Sequence, residues 1–123
     1  MLKGFFLVGL GSFFGGGLRY LVSKWMEPVM WIGFSLGTLC VNVLGCFLIG
    51  FLSGVAWEEH YISQNTKLLL TTGFCGGFTT FSTFINESAG ANPTRMIVYL
   101  IVSLSLGFLA LYLGQVLAKH VAQ

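Results

Sequence analysis

The chain has 123 residues, 55% hydrophobic and only 8% charged, with a formal net charge of +2. A soluble globule carries about a quarter charged residues, so lipid must be the solvent for most of this chain. Its Lys/Arg are too scattered for the clustered basic face of a nucleic-acid binder.

Spans are placed where uncharged apolar sequence covers about 30 Å of hydrocarbon at about 1.5 Å per residue. The first runs from about Gly4 to Val22, with Arg19 near its end and able to reach towards headgroups. Bulky Phe13 and Phe14 stand where a cleavable leader would need small residues, so this run is expected to be a permanent span. The second covers about Gly33 to Ala56, bracketed by Trp31 and Trp57 as an aromatic belt predicts. The third covers about Leu68 to Ser88 and the fourth about Met96 to Ala118. Short linkers around Glu27-Pro28, Glu58 to Asn65 and Gly90 to Pro93 leave no room for a nucleotide-binding or catalytic domain. The expectation is one all-α transmembrane domain, 1–123, whose transport is passive or ion-coupled unless a partner supplies ATP. Cys40, Cys46 and Cys75 lie in apolar sequence at spacings of neither a zinc site nor a redox pair, and read as small buried hydrophobes. His60 and His120 lie in or beside polar ends, and no acid–base pair shares a span, so an enzyme is not expected.

Glycines recur at helix-packing spacing: Gly11 with Gly15, Gly33 with Gly37, Gly50 with Gly54, Gly73 with Gly77. Four spans put Lys3, Lys67 and Lys119 on one side and Arg19, Lys24 and Arg95 on the other. Orientation follows Lys/Arg asymmetry, and here there is none. The reading is dual topology, with copies inserting both ways and pairing antiparallel.

Residues 73–84 of the third span read Gly-Phe-Cys-Gly-Gly-Phe-Thr-Thr-Phe-Ser-Thr-Phe. Paired glycines followed by two threonines are poor helix formers, and a break there frees carbonyls that need protein, water or an ion. Gly76 and Thr79 would flank that break, and Gly76 should tolerate substitution poorly if it needs a glycine-only conformation. The residues alone leave two conformations open: a break whose carbonyls hold a cation, or a kink with hydroxyls bonded back to their own turn. Beyond it Phe81 and Phe84 share a helix face, and Ser82 and Thr83 add hydroxyls. On the second span Thr38 precedes Asn42 by one turn; on the fourth, Tyr99 precedes Ser103 likewise. A lone Asn is often interhelical glue. Ring edges are partially positive, and with amide and hydroxyl donors they form a track suited to a small, hard anion.

The stretches Gly-Gly-Gly-Leu-Arg-Tyr at 15–20, Gly-Thr-Leu-Cys-Val-Asn-Val-Leu-Gly at 37–45, and the run at 73–84 resemble, in order and over the whole chain, the signatures of the Fluc (CrcB) family of bacterial fluoride channels. The resemblance implies a multi-pass protein of the bacterial inner membrane, an antiparallel dual-topology homodimer with two fluoride pores and a central structural sodium ion (Na+). Main-chain carbonyls at Gly76 and Thr79 of both copies would hold the sodium. Phe81, Phe84 and Asn42 match the family's pore residues, with Ser82, Thr83 and Tyr99 along the polar track and Arg19 near a vestibule. One departure is Ile85, where the family often has a further Ser; Thr83 is the adjacent hydroxyl that would compensate.

Two rivals have different signatures. A small proton-coupled multidrug exporter needs a carboxylate within the membrane, and here the sole candidate is Glu87 at the end of the third span. A non-transporting membrane subunit would leave the 73–84 run without a purpose. The charge balance has its own test: reporter fusions at the C-terminus should give signal on both sides of the membrane. Adding two or three lysines at one end should fix a single orientation and abolish function when that variant is expressed alone.

Overall fold

The computed structural model describes residues 1–26, 28, 30, 31, 34–56, 63–89 and 92–122. Among them, four helices are long and apolar enough to cross a membrane: Leu2–Trp25, Leu36–Val55, Gln64–Asn86 and Pro93–Val121. No more than 28% of any of these windows is buried inside the chain, so each turns most of its surface outwards. Phe5, Phe6, Phe13 and Tyr112 are among the side chains exposed there, as apolar spans solvated by lipid require.

Helix α1 (Leu2–Trp25) and helix α6 (Pro93–Ala122) outrun the expected spans at both ends. The reason is that the hydropathy rule marks only hydrocarbon, whereas backbone hydrogen bonding continues through the interface. Basic residues in the last turns, Lys24 of α1 and Lys119 and His120 of α6, complement the carbonyl ends of the helices. The first linker folds into a two-stranded antiparallel ribbon, β1 (Met30–Trp31) on β2 (Phe34–Ser35), which the sequence did not announce. Helix α2 (Leu36–Ala56) follows directly. Gly33, Trp57 and His60, named in the sequence, lie outside the described residues.

The third span is built in pieces. Ser63 caps it by accepting from the Thr66 N–H at 3.2 Å, and α3 (Gln64–Lys67) runs into an eight-residue π-helical stretch, Leu68–Cys75. One α-helical turn, α4 (Gly76–Phe78), restores the usual register. The chain then bends at Thr79, whose backbone is extended (φ −80°, ψ 158°), and restarts as α5 (Phe81–Ala89). The expected break is therefore present but displaced: it falls after the paired glycines, at Thr79 and Thr80, and Gly76 is helical (φ −62°, ψ −38°). A glycine-only conformation at Gly76 is thus not what the backbone adopts.

Two glycine seams organise the four spans. In the first, Gly4 lies beside Leu68, Gly11 beside Leu69 and Gly73, and Gly15 beside Phe74 and Phe78. Positions rise together, so the first and third spans run parallel. A methyl on Gly77 would come within 2.8 Å of the Ser12 Cα, and the Ser12 hydroxyl donates to the Gly73 carbonyl at 3.2 Å. In the second seam, Gly50 meets the Leu111 carbonyl, Gly54 approaches Ala118, and Gly114 of α6 meets the Phe47 carbonyl. The second and fourth spans are parallel as well. Asn42 reaches Thr80 whereas Gly45 faces Thr79 and Phe78, so the second span opposes the third. The bundle end that carries Lys3, Lys67 and Lys119 is therefore opposite the end that carries Arg19, Lys24 and Arg95. Gly73 and Gly77, like Gly11 and Gly15, thus do what small-xxx-small spacing anticipates.

A graded glycine series follows from these contacts. Gly11→Ala and Gly77→Ala press a methyl into backbone atoms and should each cost about 1–3 kcal/mol. Gly9→Ala and Gly17→Ala meet open space and should be neutral or mildly stabilising through helix propensity. Reversible unfolding of the purified protein in mixed micelles would rank the four.

Candidate functional site: the bend in the third span

The bend lies near half height in the bundle, level with Gly15 of α1 and Gly45 of α2. Lipid supplies no hydrogen-bond partners there, so the backbone groups released at Thr80 must be met by protein. Asn42 meets them. Its Nδ2 donates to the Thr80 carbonyl at 3.0 Å, and its Oδ1 accepts from the Thr80 N–H at 2.7 Å. One side chain thus satisfies both backbone groups of one residue, as a neighbouring strand would. The Thr80 hydroxyl in turn accepts from the Thr83 N–H at 3.3 Å and caps α5. The Thr79 hydroxyl donates back to the Cys75 carbonyl at 3.1 Å. The span is thus broken here, and one hydroxyl is bonded back to its own turn.

Around this centre lies a cavity of about 360 Å³ between α2, the bend and α6. Asn42, Thr79, Thr80, Phe81, Phe84 and Ser103 line it together with the aliphatic Ile49, Leu104 and Leu111, so its wall is largely apolar, and no charged side chain lines it among the described residues. Phe81 and Phe84 face one another obliquely, with ring centroids 6.3 Å apart and planes at 38°. Their surroundings differ sharply: Phe84 is 6% exposed and packs on Tyr99 at 5.2 Å, whereas Phe81 is 76% exposed. The Ser103 hydroxyl is buried without a hydrogen-bond partner among the described residues.

Of the residues named from sequence, Asn42, Thr79, Phe81 and Phe84 line the cavity together. Tyr99 stands behind Phe84, fully buried, and its turn-mate Ser103 takes the position on the cavity wall. Ser82 and Ile85 are exposed, Thr83 is half-buried, and none of the three is among the lining residues. Arg19 is half-buried on α1, one helical turn beyond the glycines that touch the bend. Sequence reasoning missed Thr80 and Gly45. Thr80 was hidden as the second of two identical threonines. Gly45 had a signal, since it lies one turn from Asn42 on α2 and so faces the same bend.

The donor set at the bend also bears on a cation. In an uninterrupted α-helix the Gly76 carbonyl would accept from the Thr80 N–H, and the Thr79 carbonyl from the Thr83 N–H. Both N–H groups bond elsewhere, to Asn42 and to the Thr80 hydroxyl. The two carbonyls named from sequence are thus among those that the break deprives of helical donors, and as neutral oxygens they fit a hard monovalent cation.

A four-span helical membrane protein, with its third span bent around a largely apolar cavity that carries one amide and a few hydroxyls, has the form of a small channel or carrier. Residues 6–115 match the family described as CrcB-like protein, Camphor Resistance (CrcB). The fluoride-specific ion channel FluC of Chlorobium chlorochromatii (strain CaD3) is 47% identical over 120 residues, 94% of this chain and 92% of the relative. The FluC proteins of Clostridium perfringens (strain 13 / Type A) and Azobacteroides pseudotrichonymphae genomovar. CFP2 are 43% and 38% identical, over 92% and 97% of this chain and 91% and 98% of theirs. The chain belongs to the CrcB/FluC family of bacterial fluoride-specific ion channels, a family of channels rather than enzymes.

The Gly45–Thr79 contact gives a paired test. A methyl on Gly45 would collide with the Thr79 methyl, and the hydroxyl bond to Cys75 keeps that methyl from rotating away. Gly45→Ala should therefore cost about 1–3 kcal/mol. Thr79→Ser alone should be nearly silent, and added to Gly45→Ala it should recover most of the loss in a double-mutant cycle.

Proposed function

We propose that this protein is a passive, fluoride-selective channel that lowers cytoplasmic fluoride, working as an antiparallel, dual-topology homodimer in the bacterial inner membrane. The observation that carries the reading is the cavity at the bend. It combines amide and hydroxyl donors with two phenylalanine rings and no fixed charge, in a chain whose relatives are named for fluoride conduction. A small anion sheds water only where donors replace it, yet a fixed cation would hold it too tightly to pass. Neutral donors and positive ring edges meet both demands. Hydrogen fluoride enters cells from acid surroundings and ionises inside. With the interior electrically negative, the trapped anion leaves down its gradient through an uncoupled pore.

Asn42, Ser103 and the edges of Phe81 and Phe84 would contact the ion. Ser82, Thr83 and Tyr99 would extend the track, and Arg19 would draw anions to its mouth. Two features support the pairing: equal Lys/Arg counts at the two bundle ends, and the exposure of Phe81 in the single chain, which leaves one wall of the pore to be supplied by a second copy. Carbonyls of Gly76 and Thr79 from both copies would hold one sodium ion, whose charge would tie the subunits together. Gly76 itself is exposed and so lies at a surface a partner would cover.

Replacing Phe81 or Phe84 by Ile keeps bulk and loses the quadrupole. Fluoride efflux from liposomes should fall about tenfold or more in each variant, equivalent to ~1.4 kcal/mol on the barrier, while the protein remains folded. Undiminished efflux in both would reduce the rings to packing. Asn42→Asp should be the more severe change, since a carboxylate repels the anion and lacks amide donors.

A further inference from the structure

The carbonyls proposed to hold sodium do not release themselves from the helix; two side chains hold their former donors away. We infer that Asn42 and Thr80 are positioning residues for the cation site, one for each carbonyl. Asn42 Oδ1 takes the Thr80 N–H at 2.7 Å and so keeps it from Gly76. Thr80 Oγ1 takes the Thr83 N–H at 3.3 Å and so keeps it from Thr79. The Asn42 Nδ2 bond to the Thr80 carbonyl, at 3.0 Å, fixes the peptide plane between the two diverted groups.

The inference rests on the sodium reading above and adds a link to it. Asn42 lines the anion cavity and also sets the geometry of the cation site, so the two sites share one amide. Without Asn42 or the Thr80 hydroxyl, the cheapest repair in lipid is for the stranded N–H to return to its helical carbonyl. That repair competes directly with the ion for the same oxygen.

The test is sodium-dependent thermal stability of the purified full-length protein in detergent, with a bulky organic cation holding ionic strength constant. Thr80→Val keeps shape and loses the acceptor; Thr80→Ser keeps the acceptor; Asn42→Leu loses both bonds. The sodium concentration for half-maximal stabilisation should rise about three- to tenfold in Thr80→Val and Asn42→Leu, the effect of one hydrogen bond. It should stay at the wild-type value in Thr80→Ser, and also in Phe84→Ile and Ser103→Ala, which line the cavity but hold no diverted N–H. Equal half-saturation in wild type, Thr80→Val and Asn42→Leu would overturn the inference and leave the sodium reading standing. A wild type indifferent to sodium would overturn both. A variant folded only at raised sodium supports the inference by mass action; one that stays unfolded at saturating sodium overturns it, because its loss is then general packing.

Discussion

Hydrocarbon offers nothing to a backbone N–H or carbonyl, so a span that stops being a helix must find each released group a partner inside the protein. At Thr79 and Thr80 the third span stops being a helix, and the partner is Asn42, which exchanges two hydrogen bonds with one peptide residue. The other features of the site follow from that exchange. It turns α5 away from the axis of α4, which brings Phe81 and Phe84 to the cavity wall. It also leaves the Thr80 hydroxyl free to cap α5, and it denies Gly76 its helical donor. A single buried amide between helices is worth ~0.6 kcal/mol on average; here its value lies in selecting one backbone conformation over another.

The seams explain how such a bend is kept. A bent helix in lipid would straighten or slide unless both halves were gripped. Gly11, Gly15, Gly73 and Gly77 bring the backbones of the first and third spans into contact up to the bend, and Ser12 adds a hydrogen bond to the Gly73 carbonyl. Beyond it, Phe84 rests on Tyr99 of α6. The π-helical stretch sits where the first seam is tightest, and there the Thr71 hydroxyl bonds back to Lys67.

Much of this was legible in the residues. Charge scarcity and run length located the spans, because burial in lipid filters sequence more strictly than burial in a core does. The run of Gly-Gly-Phe-Thr-Thr announced a disturbed helix, and glycine pairs at small-xxx-small spacing marked both seams, while Gly114 carries that spacing with Ala110 and Ala118 rather than with a second glycine. What could not be read was which residue yields. Propensity pointed to Gly76 and Gly77, yet Gly77 is clamped against Ser12 and both remain helical, while the threonines next to them give way because Asn42 offers Thr80 a better partner. That competition is tertiary and leaves no local trace. The identity of the cavity wall was blurred for a similar reason: Tyr99 and Ser103 lie one turn apart, and only packing decides that Ser103 faces inwards.

The pairing of spans bears on how the chain is made. The first span packs on the third and the second on the fourth, each pair parallel and neither pair consecutive in sequence. A ribosome delivers the spans one at a time, so the first has no partner when it enters the bilayer and must wait there, its glycine stripe against acyl chains, until the third emerges. The second waits in the same way for the fourth. A backbone-to-backbone seam of glycines suits such a delay: helices in lipid associate by close packing rather than by hydrophobic collapse, so the seam closes only when a matching stripe of small residues arrives.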